Sequence, residues 1–171
     1  LPSVRALQPS EAEAAIPALA EVLVDCVAGG ASVGFMDGLT RAEAEAFYAG
    51  CAAAAAKDER VIFVAEDRQG VCGTVQLVPA AMPNQPHRAD ISKMLVHRRA
   101  RRSGAGTALL QAAEAGARAR GFTVLVLDTV TGSDASRVYE RQGWIRSGDI
   151  PDYALFPDGS FCATTVYYRQ L

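Results

Sequence analysis

The chain is poor in the residues that usually announce a metal, a redox pair or a membrane. Its two histidines, His87 and His97, stand apart in the sequence, and neither reads as a catalytic base or a metal ligand. Cys26, Cys51, Cys72 and Cys162 are scattered and include no Cys-x-x-Cys. That pattern argues against a zinc site or a disulfide frame and fits buried free thiols in a reducing compartment. No long apolar run is present. The most apolar early stretch, Ala14 to Ala28, is broken by Pro17, Glu21 and Asp25, which makes it too short and too charged to span a bilayer. With no secretory signal either, a cytoplasmic location with no membrane partner is expected. Basic excess is also missing: the net charge is -2, whereas a broad nucleic-acid footprint needs a strong positive balance. No Gly-Lys-Ser/Thr occurs, which excludes a P-loop.

What remains is an ordinary globular composition. The 171 residues are 50% hydrophobic and 21% charged, and no linker divides them, so one domain over residues 1–171 is expected. Ser3 to Leu7 reads as a short strand. Ile16, Leu19, Ala20, Leu23, Val24 and Val27 recur at helical spacing, with Gly29-Gly30 as the stop. Thr40 and Glu43 form a capping-box pattern ahead of an alanine-rich helix reaching about Lys57. Arg60 to Glu66, Val71 to Pro79 and Ala89 to His97 read as strands.

A helix ending near Arg120 follows, then Phe122 to Asp128, whose continuous apolar run suggests a strand covered on both faces. Ser133 or Asp134 caps a short helix through Gln142. Trp144 to Ile150 and Cys162 to Arg169 form a last pair around the Pro157-Asp158-Gly159 turn. The pattern predicts a mixed α/β (α+β) chain of about seven strands and four helices.

The most specific segment is Arg101-Arg102-Ser103-Gly104-Ala105-Gly106, with Thr107 behind it, between the fourth strand and the third helix. Glycines allow close approach to an anion, and the first-turn N–H groups of a helix have no intrahelical partner. Together with the helix dipole they favour a phosphate. A dinucleotide site competes for this reading, because Asp128 ends the next strand at about the spacing of a ribose-binding acid. Leu109 occupies the third glycine position, however, and the chain holds only one such strand–turn–helix unit.

The Arg-x-x-Gly-x-Gly spelling resembles the acyl-CoA pyrophosphate loop of the GCN5-related N-acetyltransferases, and the element order is similar over nearly the whole chain. Ala135-x-x-x-Tyr139-x-x-x-Gly143-Trp144 resembles a second family pattern. The resemblance implies the acyl-CoA N-acyltransferase fold, acetyl-CoA as co-substrate and a small-molecule amine as acceptor, without nucleic acid; it leaves a homodimer open.

It further implies that Met94, Leu95 and Val96 line the thioester and pantetheine, and that Arg101 to Thr107 hold the pyrophosphate. Tyr139 would protonate the departing thiolate, and Asp128 would receive or hold the acceptor's proton, with Glu66 or a water as other candidate bases. Many family members carry Asn where Gly132 stands, so Ser133 and Asp134 are expected to substitute as cofactor contacts. Gly30-Ala31-Ser32-Val33-Gly34-Phe35, Leu127-Asp128-Thr129, Ile150-Pro151-Asp152-Tyr153 and Thr165-Val166-Tyr167-Tyr168 resemble the tabtoxin-resistance branch. That branch implies an amino-acid-like toxin or antibiotic as acceptor, with Phe35, Asp128 and Tyr153 around it. A non-catalytic acetyl-CoA sensor is the alternative.

Overall fold

The computed structural model describes residues 1–171. The elements run β1 (Ser3–Ala6), α1 (Ile16–Ala28), α2 (Arg41–Ala56), β2 (Val61–Asp67), β3 (Gly70–Pro79), β4 (Arg88–Val96), α3 (Ala105–Ala119), β5 (Val124–Val130), α4 (Asp134–Arg141), β6 (Ile145–Leu155) and β7 (Phe161–Gln170). The seven strands form one sheet in the order β1-β2-β3-β4-β5-β7-β6. Only β4 and β5 are parallel. Their connection crosses over through α3, as a parallel pair requires. This is the seven-stranded, four-helix arrangement expected from the sequence.

Each face of the sheet has its own core. On one side α3 presents Leu109, Leu110, Ala113 and Ala117 to Phe63, Val75, Leu77, Leu125 and Leu127, and Tyr139, Trp144 and Tyr167 extend the same cluster. On the other, Leu19, Leu23 and Val27 of α1 and Ala44, Tyr48 and Ala52 of α2 pack over Ile62, Val64 and Leu95. The Thr40–Glu43 capping box is present: the Thr40 side chain accepts from the Glu43 N–H, and Glu43 accepts from the Thr40 N–H at 2.8 Å.

Two sequence expectations are corrected. β5 is not covered on both faces: Leu125 and Leu127 are buried, Val124 and Val126 only partly, and Asp128 is exposed. The α1–α2 layer packs on β2, β3 and β4 and stops short of β5, so that strand keeps one open face. The sixth strand also does not end at Ile150. It continues through Pro151 to Leu155 after an irregularity that includes Asp152 at φ 50. Proline is tolerated there because β6 is an edge strand, exposed along nearly its whole length.

Asp25 of α1 fastens the helical layer to the end of β4. Its carboxylate accepts from the Arg98 N–H and the Arg98 Nε, both at 2.8 Å, and lies 3.5 Å from His97 Nε2. Burial pushes the carboxyl up, but the Arg98 N–H, the Arg98 guanidinium and His97 more than offset it, leaving it below its ordinary value. A carboxylate held low in the folded state stabilises fully above its unfolded pKa and loses that contribution as pH falls through the folded one. Asp25→Ala is therefore expected to cost about 1–3 kcal/mol at neutral pH. In urea unfolding, the gap to wild type should narrow as pH drops below about 4.

Candidate active site

The site is built around a fork. β4 and β5 pair only at Arg88↔Val124, Ala89↔Leu125 and Asp90↔Val126, although both strands continue well past these positions. β4 stays on β3 as far as Val96↔Gly73, and β5 stays on β7 through Val130↔Thr164. The two strands therefore part from Ile91 and Leu127 onward. On β4 the register shifts between Ser92↔Gln76 and Leu95↔Thr74, so Lys93 and Met94 together oppose Val75. This is a β-bulge, which bends a strand and re-aims its side chains. Lys93 takes φ 50 within it. Met94, Leu95 and Val96 thus lie on the arm of β4 that has left β5.

The glycine turn follows directly. Arg102 at φ 62 and Gly104 at φ 86 carry the chain into α3, and Gly104 occupies the N-cap. A side chain at Gly104 would be strained at that φ whatever the space around it. The Ala105 N–H is satisfied by Ser103 Oγ at 3.3 Å. The N–H groups of Gly104, Gly106 and Thr107 donate to no backbone carbonyl.

The arginines divide into two pairs. Arg98 is taken by Asp25 at 2.8 Å, and Arg99 by Asp67 at 3.2 Å and the Val71 carbonyl at 2.9 Å. Arg101 and Arg102 join no ion pair and are exposed. The turn therefore presents free N–H donors and two guanidiniums without a carboxylate partner. Behind it, burial pushes the Cys26 thiol up to about 11. It stays protonated and faces the Val96 carbonyl at 3.5 Å.

Tyr139 stands on the α3–α4 side of the fork. Its ring is buried against Trp144 at 5.9 Å and Tyr167 at 6.0 Å. Trp144 is fixed by its indole N–H, which donates to the buried Glu114 at 2.9 Å, and Tyr167 by donating to Glu140 at 2.7 Å. The Tyr139 hydroxyl has no such tether. Burial, and secondarily the Asp128 carboxylate, raise its pKa well above the ordinary phenol value. The phenol is therefore neutral across the physiological range.

Asp128 alternates with Leu127 and so faces the opposite side of the sheet, at the open end of β5. The buried Thr164 hydroxyl donates to its Oδ2 at 2.8 Å and orients the carboxylate.

Other expected residues are committed elsewhere. Ser133 Oγ caps α4 by accepting from the Ser136 N–H at 3.1 Å, and Asp134 pairs with Arg137 at 2.5 Å in solvent. Glu66 is bound to Arg5 at 3.1 Å, on the strand pair at the far edge of the sheet. The loop before α2 and the β6–β7 hairpin meet. The Asp37 N–H donates to the Pro157 carbonyl at 3.1 Å and the Ser32 hydroxyl to the Leu155 carbonyl at 2.7 Å, joining them into one wall. Phe35 packs edge-on against Phe47 of α2 at 5.3 Å, while Tyr153 remains exposed.

Four contributors escaped the sequence reading: Lys93, Phe47, Thr164 and Asp90. Asp90 is the last residue of β4 paired with β5 and is held by Arg88 at 2.5 Å. For Lys93, Thr164 and Asp90 the only signal was a charged or polar residue inside a strand-like run, and Phe47, an apolar residue of α2, gave none.

No helix is long and apolar enough to cross a membrane, and no group of His, Cys, Asp and Glu side chains could hold a metal ion. Comparison with known proteins gives matches over the whole chain. The structure is similar to a ribosomal-protein-alanine N-acetyltransferase from Brucella melitensis, with a TM-score of 0.80, 23% identity and 99% of both chains covered. It is similar to a GCN5-related N-acetyltransferase from Kribbella flavida, with a TM-score of 0.77, 23% identity and 99% and 98% covered. It is also similar to a GNAT superfamily phosphinothricin acetyltransferase from Sinorhizobium meliloti solved with acetyl-CoA, at a TM-score of 0.80, 17% identity and 99% and 88% covered. At these identities the likeness is one of fold. The sequence model of the acetyltransferase (GNAT) family matches residues 21–144, and with the forked strands and the glycine turn inside that span, the chain belongs to that family.

Proposed function

We propose that the protein transfers an acetyl group from acetyl-CoA to the amine of a small molecule by direct attack within a ternary complex. The observation that carries this reading is the fork. β4 and β5 separate just where the turn at Arg101–Thr107 offers unpartnered N–H donors. An extended pantetheine arm would pair along the freed edge of β4, while the turn and Arg101 and Arg102 would receive the phosphates.

In the reaction, the amine nitrogen bonds to the thioester carbonyl carbon and the carbon–sulfur bond breaks. A backbone N–H on the bulged segment near Met94 would steady the oxygen that gains charge. Tyr139 supplies the proton taken up by the thiolate, a role suited to a neutral phenol with no competing hydrogen bond. Asp128 accepts or holds the proton of the attacking amine. Asp90 is less suited to this, because Arg88 already neutralises it. The loop similarities to the tabtoxin-resistance branch support an amino-acid-like acceptor, with Phe35 and Tyr153 on the joined wall, and a role in toxin or antibiotic resistance.

Three variants test the reading, with thiol release as the assay. Gly104→Val should weaken acetyl-CoA binding at least tenfold, about 1.4 kcal/mol, while calorimetry shows a folded protein. Unchanged affinity would remove the turn from the cofactor site. Tyr139→Phe should lower kcat by roughly tenfold and leave acetyl-CoA affinity nearly intact, the pattern of a group acting in the transition state. Equal losses in both would mark a packing role. Asp128→Asn should cut kcat and abolish the acidic limb of the pH–rate profile if the carboxylate is the base. A raised acceptor KM with that limb intact would make it an anchor. Acetyl-CoA binding without turnover of any amine would leave a sensor domain.

A further inference from the structure

Lys93 is not accounted for by the chemistry above. The other partly buried cations of this fold have polar partners. Arg88, Arg99 and Arg169, each about a quarter exposed, meet Asp90, Asp67 and Glu114. Arg60 donates to the Gln76 side-chain oxygen at 2.6 Å. Lys93 is half-buried and joins no ion pair or hydrogen bond. Its Nζ lies instead 6.0 Å from the centre of the Phe35 ring and 5.7 Å from that of Phe47. A Cβ on Gly34 would come within 3.5 Å of it. The aromatic faces offset only part of the lost hydration of an ammonium.

The backbone beneath this side chain is unusual as well. Lys93 adopts φ 50 in the β4 bulge, a conformation that a branched or long side chain takes at some cost and that clusters at ligand sites. The bulge turns the side chain to the α1–α2 face, the same face as Asp128 at the mouth of the fork. Burial disfavours its charged form, while Cys51 of α2 and Asp128 of β5, on the elements packed around it, favour it. Asp128 is thus the carboxylate whose charge reaches Lys93, yet the two form no ion pair, and the ammonium is left without a hydrogen-bonded anion.

We propose that Lys93 is the anion anchor of the acceptor subsite and selects amines that also carry a carboxylate. This deepens the acetyltransferase reading and rests on it. The acceptor is a zwitterion of amino-acid type. Its amine lies toward Asp128 and the fork, its carboxylate on Lys93, and its carbon skeleton against Phe35 and Phe47. Lys93 is a specificity residue in this scheme and takes no part in bond making.

The chain contains two lysines, Lys57 and Lys93, and Lys57 is exposed at the end of α2. Carbon-13 labelling of the lysine ε-carbons therefore gives two resonances, one of which is an internal control. In the acetyl-CoA-saturated protein, titration with a panel of free L-amino acids should shift the Lys93 resonance saturably for at least one member. The matching amino-acid amides should not shift it, and Lys57 should stay still. Thiol release should favour that amino acid over its amide in wild type. In Lys93→Met, with an unchanged Tm, the ratio of the two kcat/KM values should fall at least tenfold, mainly through KM for the amino acid, and Lys93→Arg should restore part of it.

A Lys93 resonance that ignores every carboxylate overturns the proposal. So does wild-type preference for amides, or a Lys93→Met variant that loses both acceptors equally, the result expected if Lys93 only braces the two phenylalanines. Amino acids that shift Lys93 without thiol release would support the anion subsite while refuting the acetyltransferase reading. Thiol release from amides alone would do the reverse.

Discussion

Everything at the site depends on two neighbouring strands being held apart. Exposed backbone N–H and C=O groups are costly to bury without partners, so a split in the middle of a sheet needs support on both sides. Here each strand retains one complete neighbour. β7 pairs with β5 from Val124 to Val130, and β3 pairs with β4 past the bulge to Val96. The bulge at Lys93 and Met94 bends β4 away, and the two cores hold the sheet on either face of the split. The result is an internal strand edge positioned by rigid elements, able to accept an extended ligand as a strand would be accepted.

Charge is distributed with the same economy. Four arginines crowd the approach to α3, yet Asp25 and Asp67 occupy the first two and use them to fasten α1 and the β2–β3 turn to the end of β4. The second pair is left to the turn. A basic run with an overall net charge of -2 thereby becomes a local positive patch rather than a broad one, which suits a compact phosphate group better than a polymer. Tyr139 and Asp128 approach the fork from opposite faces of the sheet. The phenol is in a dry setting that keeps it protonated, and the carboxylate is in a wetter one where Thr164 orients it. Different environments are what let two titratable groups close in space keep different protonation states, as the proposed roles of Tyr139 and Asp128 require.

The elements themselves were legible in the sequence. Helical spacing in α1, the Thr40–Glu43 capping box and the arginine–glycine turn are local signals, set by backbone geometry and by residues within one or two turns of each other. They fixed the order of strands and helices, and the motif at Arg101–Gly106 marked the turn that leads into α3. The apolar run of β5 misled because hydrophobicity reports what a strand can bury, not whether a neighbouring layer reaches it. The α1–α2 layer does not, so Asp128 stays exposed. The end of β6 was likewise not legible: the strand runs on through Pro151, because a proline's missing N–H matters only if that side of the strand is paired, and that depends on the position of the strand in the sheet.

Length and composition, the periodic elements and the glycine turn determined that this chain would form a mixed sheet with a phosphate-shaped turn. Only the tertiary structure decided which arginines are tied to carboxylates, that the loops around Asp37 and Pro157 join, that β4 and β5 part after three residue pairs, and that Lys93 lies by two phenylalanines without an ion pair. These features arise from contacts between residues far apart in the chain. Their energies depend on burial and on the partner's distance, quantities that a linear order of residues does not contain.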